Sequence, residues 1–386
     1  GKLEEAIEAY KTALTLKPNY ADAYNNMGNA LTNQGKLEEA IEAYKTALTL
    51  KPDYVGAYNN MGAALREQGK LEEAIEACNK VLALNPDYAD GYNNLGVTLK
   101  EQGKLDEAIE AYNTALSLNP DYADGYNNLG NALTDQGRLE EAIEAYNAAL
   151  SLNPDYADAY NNLGNALTDQ GRLEEAIESY KTALSLNPAH ADAYNNMGHA
   201  LTDQGKLEEA IESYKTALIL NPNYADAYNN MGAALREQGK LDEAIVAYNK
   251  ALSIKPDHAA VYNNMGVMHH DEGRMKDAIS YYERAIGIKP DYADAHMNRG
   301  FALLNEGELK QGLEEYEWRL KRPENFSDLR RFSKPIWDGN PNLSGKRILL
   351  WSEQGPGDVV MWLSALQYLI PMAKHCIIEC LSLIHI

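Results

Sequence analysis

Positive charge, cysteine and long apolar runs are what this chain of 386 residues has least of. Lys and Arg number 35 against 57 Asp and Glu, a formal net charge of −22. Residues 327–386 hold six basic and five acidic side chains, so that end is +1 and residues 1–326 carry −23. Nucleic-acid binders need a basic face, and anionic membrane surfaces attract basic segments, so neither is expected as a partner. Neutral or basic partners suit the balance, although many of these acids also read as a solvated face that keeps the chain soluble. Three cysteines (Cys78, Cys376 and Cys380) make no disulfide framework and have no zinc-like spacing. His269-His270 precedes Asp271 without a second ligand pair, so no metal is expected. The longest apolar run, Val359 to Ala373, is interrupted by Ser364, Gln367 and Pro371 and is too short to span a bilayer. With no leader in view, a cytoplasmic location is expected.

What is present is a period. The triplet Tyr-Asn-Asn starts at 24, 58, 92, 126, 160, 194, 228 and 262, always 34 residues apart. Prolines from Pro18 to Pro290 and glycines from Gly1 to Gly307 keep the same step. Such a period signals a repeat array, in which each unit buries its apolar face only against its neighbours. Residues 1–20 are half a unit, and 21–326 divide into nine 34-residue units, the last degenerate.

Each unit reads as two helices. In the first, about 21–33, Ala23, Met27, Ala30 and Leu31 recur at helical spacing. Asn19 with Asp22 resembles a capping box using an acidic partner. Gly35 fits a left-handed position just past the helix end. Glu38 and Glu39 suit the first turn of the second helix, whose apolar stripe is Ala40, Ile41, Tyr44, Ala47 and Leu48. Pro52 prevents that helix from continuing, and small residues at Gly28 and Ala40 let the pair approach closely.

The pattern Tyr24, Met27, Gly28, Leu31, Ala40, Tyr44, Ala47 and Pro52 resembles the tetratricopeptide repeat, with Tyr where Trp is usual. The resemblance implies an all-α fold: a right-handed superhelical solenoid of helix-turn-helix repeats whose first helices line a concave, peptide-binding groove.

Past 326 the sequence changes. A connector (327–343) containing Pro-Ile-Trp-Asp-Gly leads to a strand-like run, Arg347 to Trp351. A loop with Gly355, Gly357 and Asp358, a helix over Val359 to Leu369 and a candidate second strand over Cys376 to Cys380 follow. This order opens an α/β unit, and the two glycines ahead of a helix start are weak candidates for holding an anion. The stretch 308–380 resembles the region joining tetratricopeptide repeats to a glycosyltransferase-like domain in bacterial proteins similar to O-linked N-acetylglucosamine transferases. Pro356 departs from the aliphatic residue expected between the glycines. The resemblance implies that 344–380 is the truncated start of a two-lobed (GT-B-like) domain. It also implies a nucleotide sugar for a full-length parent, with no cofactor and no assignable catalytic residue in this chain. The closing LSLIHI back-translates to a transposon-end adapter of sequencing libraries, so 381–386 are expected to be a processing scar.

The paired asparagines pose a separate question. Asn is worse than Ala in a helix by roughly half a kcal/mol, so the eight pairs forgo about 8 kcal/mol of local preference. One column is Asn26, Asn60, Asn94, Asn128, Asn162, Asn196, Asn230, Asn264 and Asn298. The other is Asn25, Asn59, Asn93, Asn127, Asn161, Asn195, Asn229 and Asn263, lapsing at Met297. A carboxamide donates and accepts together and can grip a peptide backbone of any sequence. The family resemblance implies such a ladder in the Asn26 column, with Asp22, Asn25, Asn29, Thr32 and Asn33 also facing the groove. The Asn26 column equally suits bonds that tie neighbouring helices together, and near-copying of repeats also preserves both columns. Related arrays that capture acidic chaperone tails carry a basic clamp. Here the Asn33 column is mostly acidic (Glu67, Glu101, Asp135, Asp169, Asp203, Glu237, Asp271), with basic residues only at Arg66, Lys100 and Arg236 in the Thr32 column. Two functions are therefore expected to compete: a scaffold binding extended peptides, and the substrate-recognition arm of a protein glycosyltransferase.

Overall fold

The computed structural model describes residues 1–321, 347–351 and 375–379. The expected connector 327–343, the glycine loop with Gly355, Gly357 and Asp358, and residues 381–386 lie outside the described residues. Helix α1 (Lys2–Leu16) is a second helix without a first. Helix pairs follow it among the described residues: α2 (Ala21–Thr32) with α3 (Leu37–Leu50), α4 (Val55–Glu67) with α5 (Leu71–Leu84), and α6 (Ala89–Glu101) with α7 (Leu105–Leu118). Next come α8 (Ala123–Asp135) with α9 (Leu139–Leu152), and α10 (Ala157–Asp169) with α11 (Leu173–Leu186). They are followed by α12 (Ala191–Asp203) with α13 (Leu207–Leu220), and α14 (Ala225–Glu237) with α15 (Leu241–Ile254). The last pairs are α16 (Ala259–Asp271) with α17 (Met275–Ile288), and α18 (Ala293–Asn305) with α19 (Leu309–Tyr316), which runs into a 3-10 turn. The chain divides into two units, Gly1–Val261 and Tyr262–Ile386.

Local chemistry accounts for the punctuation. Gly35 adopts φ 73°, and the glycine of every later unit repeats a similar left-handed value. Its N–H donates to the Thr32 carbonyl at 2.8 Å and the Lys36 N–H to that of Leu31 at 2.9 Å, a Schellman closure. Asparagines ahead of the prolines cap the turns. Asn119, Asn153, Asn187 and Asn221 each accept the N–H two residues on, at 3.1 to 3.3 Å. The capping box expected from Asn19 and Asp22 is not formed. Tyr20 is the residue before α2, no side chain caps it, and Asp22 instead faces the next repeat.

The core is a row of near-identical layers. Ala40 and Ala47 are fully buried and Tyr44 nearly so. The equivalents Tyr112, Tyr146, Tyr180, Tyr214, Tyr248 and Tyr282 are among the largest fully buried side chains. Within residues 1–261, successive first helices touch one another (α2 with α4, α10 with α12), while successive second helices do not approach as closely. A stack closer on one side bends toward that side, so the first helices line the inner face of this helical-repeat solenoid. No helix among the described residues is long and apolar enough to cross a membrane.

Residues 347–351 and 375–379 form strands β1 (Arg347–Trp351) and β2 (His375–Glu379), paired in parallel with Ile348 opposite Cys376. The second strand begins one residue earlier than the sequence indicates.

Candidate functional site: an amide seam on the first helices

The two asparagine columns do different jobs. Asn25, Asn93, Asn127, Asn161, Asn195, Asn229 and Asn263 are buried, with Asn59 half-buried. The Asn26 column is exposed at Asn26 and half-buried from Asn60 through Asn298. The columns meet across the repeat boundary, where Asn26-type Nδ2 groups donate to the Asn25-type Oδ1 of the preceding unit. The bonds are Asn60 to Asn25 (3.1 Å), Asn94 to Asn59 (2.8 Å) and Asn128 to Asn93 (3.0 Å). They continue with Asn162 to Asn127 (3.0 Å), Asn196 to Asn161 (3.1 Å), Asn230 to Asn195 (3.1 Å) and Asn298 to Asn263 (3.0 Å).

At Asn161, Asn195 and Asn229 the buried Nδ2 also donates to its neighbour's Oδ1 at 3.3 Å. An unbroken relay of amides therefore runs from Asn229 to Asn127. Each clasp contributes on the order of 1 kcal/mol, comparable to the helix preference that one pair forgoes. The clasp also uses only one Nδ2–H of each half-buried amide. At Asn94, Asn128, Asn162, Asn196 and Asn230 the second N–H takes no part in these inter-repeat bonds.

A second seam joins the acids at helix starts to the aromatic residue that closes the unit, just ahead of the next unit's first helix. His258 Nε2 lies 2.9 Å from Asp226 Oδ1, and His190 Nε2 3.3 Å from Asp158 Oδ1. Where the aromatic is Tyr, its phenol stands beside the equivalent carboxylate: Tyr122 with Asp90, Tyr156 with Asp124, Tyr224 with Asp192. Burial first, and that carboxylate second, push these phenols well above the ordinary range. The acids at these positions thus face the residue that leads into the next first helix.

A third register pairs the Thr32 column with the Asn33 column of the following unit. Lys100 Nζ reaches Asp135 Oδ2 at 2.9 Å, and Arg66 Nε reaches Glu101 Oε1 at 3.5 Å. In residues 262–386, His270 and Asn305 meet at 3.3 Å in the same register. Where this column is Thr the rung is open. Thr134, Thr168 and Thr202 donate to the carbonyls of Gly130, Gly164 and Gly198 at 2.9 Å and lie 3.2 to 3.3 Å from the hydroxyls of Tyr146, Tyr180 and Tyr214. Among the described residues no Lys or Arg lies within ion-pair distance of Asp169, Asp203 or Glu237. Asp203 has only His199 on its own helix, at 3.4 Å. Burial raises the Asp169 carboxyl above the usual carboxylate range, with His199 opposing the rise.

The Asn29 column is held by the core. Tyr44, Tyr146 and Tyr180 donate their hydroxyls to Asn29, Asn131 and Asn165 at 2.7 to 2.8 Å. Sequence reasoning named none of these partners, and the only signal for them was the constancy of the columns. Cys78, standing in the tyrosine column, is a buried free thiol pushed up to about 11 by burial. His269 and His270 separate: the first stacks on Tyr281 and meets Glu272, the second points at Asn305. No group of three His, Cys, Asp or Glu among the described residues could hold a metal.

Residues 1–195 match the family model described as Cilia and flagella-associated protein 70 C-terminal domain. Tetratricopeptide-repeat models match 179–212, 198–235, 223–291 and 271–319. None of these reaches residues 344–380, where a glycosyltransferase-like domain is expected from the sequence, and none supports that expectation. No curated protein matches. Among solved structures, a chain of the APC/C hetero-tetramer Cut9–Hcn1 aligns with TM-score 0.56 at 20% identity, over 77% of this chain and 58% of that one. The chain thus spans a little over half the length of that neighbour. MamA aligns at TM-score 0.39 and 31% identity, over 43% of this chain and 96% of its own. YrrB, described as a TPR protein with an unusual peptide-binding site, aligns at 0.39 and 28%, over 52% and 100%.

Proposed function

The chain belongs to the tetratricopeptide-repeat family, residues 1–195 falling within the Cilia and flagella-associated protein 70 C-terminal domain family, and from that premise we propose that it is a scaffold gripping extended protein segments. The grip is the row of half-buried carboxamides Asn60, Asn94, Asn128, Asn162, Asn196 and Asn230 on the inner face. Asn26 begins the column, and Asn264 and Asn298 hold the equivalent repeat position in the second unit. One observation carries this reading: each clasp pins one N–H backward and leaves an oriented donor and acceptor per repeat. Such a row bonds peptide backbone irrespective of side chain. The Asn25 column supports the grip from beneath, since burial keeps it from a ligand.

The test pairs two triple variants. Changing Asn94, Asn128 and Asn162 to Ala removes the grip and its clasps. Changing Asn59, Asn93 and Asn127 to Ala breaks the same clasps and spares the grip. Peptide affinity should fall several-fold further in the first than in the second. Equal losses would assign the asparagines to repeat joining alone.

A second reading is favoured by the parallel pairing of β1 with β2, which suits the opening of an α/β domain. In it the array is the recognition arm of a protein glycosyltransferase that uses a nucleotide sugar. Saturable binding of uridine diphosphate sugars by a longer chain extending past β2 would support it, and a longer chain that binds none would reject it.

A further inference from the structure

The open rungs on the inner face say what kind of segment the groove takes. Arg66 and Lys100 show a cation seated against the acid of the next repeat, at Glu101 and Asp135. The three following rungs keep their acids, Asp169, Asp203 and Glu237, and put Thr134, Thr168 and Thr202 where the cation would stand. Those hydroxyls are spent on backbone carbonyls and buried tyrosines. We infer that this stretch receives Lys or Arg side chains from an extended basic partner, in the seats that Arg66 and Lys100 fill from within. The inference rests on the groove reading above and adds the partner's charge and spacing.

Two further observations support it. The occupied rungs display the same register already binding a cation. The Asp169 carboxyl stays raised by burial, opposed only by the imidazole of His199 and by no permanent cation.

The spacing follows from the stack. First helices of successive repeats are in contact through their asparagine clasps, 3.0 to 3.1 Å apart from Asn127 to Asn230. Packed helices lie about 8–10 Å apart. A polyproline II segment rises about 3.1 Å per residue with three residues per turn, so every third residue returns to the same side after about 9 Å. A β-strand alternates sides with period two and does not keep every third residue on one side. The matching partner therefore carries a basic residue at every third position in polyproline II conformation. The groups facing the three open seats are the acids, the committed threonines and His199, which adds positive charge only when protonated.

The experiment is calorimetric titration of the full chain with an Ala-Pro-Arg repeat peptide and with its Ala-Pro-Gln counterpart. The arginine peptide should bind about tenfold tighter or more, three exposed ion pairs being worth that much together. The preference should shrink as salt rises from about 50 to about 500 mM. The variant Asp169→Asn, Asp203→Asn, Glu237→Gln should bind both peptides alike, with unchanged helical circular dichroism. Filling the seats from within by Thr134→Lys, Thr168→Lys and Thr202→Lys should have the same effect without removing an acid. Should the glutamine peptide bind as tightly as the arginine peptide while the asparagine variants weaken both, the charge inference falls and the amide grip stands. Should neither peptide bind, both fall.

Discussion

Replacing Gly130 and Gly62 by Ala should have opposite effects, although both glycines hold the same place in their repeats. A methyl at Gly130 would lie 2.5 Å from Tyr146 Cε1 and 2.8 Å from Cδ1 and Cζ. The ring has nowhere to retreat: Tyr146 is 1% exposed, and its hydroxyl is held by Asn131 at 2.8 Å. At Gly62 the facing residue is Cys78, and the added methyl meets Ala77 Cβ at 3.5 Å and Cys78 Sγ at 3.7 Å, ordinary contact. Both changes gain about 1 kcal/mol of helix preference. Only Gly130→Ala then incurs overpacking of about 1–3 kcal/mol and the loss of a hydrogen bond worth about 1 kcal/mol. Gly62→Ala should stabilise its repeat by up to about 1 kcal/mol, and Gly130→Ala should destabilise by about 1–3 kcal/mol. Because repeats unfold as coupled neighbours, amide exchange within residues 55–88 and 123–156 is the direct assay, with urea midpoints beside it. Equal stabilisation by both substitutions would refute the claim that the tyrosine ring dictates the glycine.

The remaining predictions concern the seams and titration. Asn161→Ala strips the acceptor from Asn196 and the donor to Asn162. It should cost about 1–3 kcal/mol, read as faster amide exchange on both sides of that repeat boundary. A double-mutant cycle on Lys100→Met and Asp135→Asn should give a coupling of only about 0.2–1 kcal/mol, as befits partly exposed partners. The buried tyrosines make the array sensitive to alkali. Burial pushes Tyr146 and Tyr214 up to about 12, so the folded state holds these protons where the unfolded chain, titrating near pH ~10, releases them. The stabilisation is complete below about pH 10 and is lost as pH rises toward about 12. Phenolate absorbance and helical circular dichroism should therefore change together in that window. Independent, noncooperative titration of every phenol below it, the buried ones included, would contradict the burial.

Sequence alone determined whatever one repeat decides by itself. The 34-residue period, the two helices per unit, the left-handed glycine and the apolar stripe were all legible, because each depends on neighbours a few residues away. The strand over 347–351 was legible for the same reason. The acidic balance, too, needs no structure. The partners within the candidate site were not legible. Periodicity says that Asn60 and Asn26 share a column, yet Asn60 bonds Asn25. Which columns meet depends on how far each helix is rotated about its axis and offset along its neighbour, quantities that only packing of successive repeats sets. Asp22 illustrates the limit: locally it reads as a helix cap, and stacking hands it to the next repeat instead. Within single repeats Thr134, Thr168 and Thr202 turn inward to the tyrosines, and stacking then sets that uncharged position in register with Asp169, Asp203 and Glu237 of the next repeat.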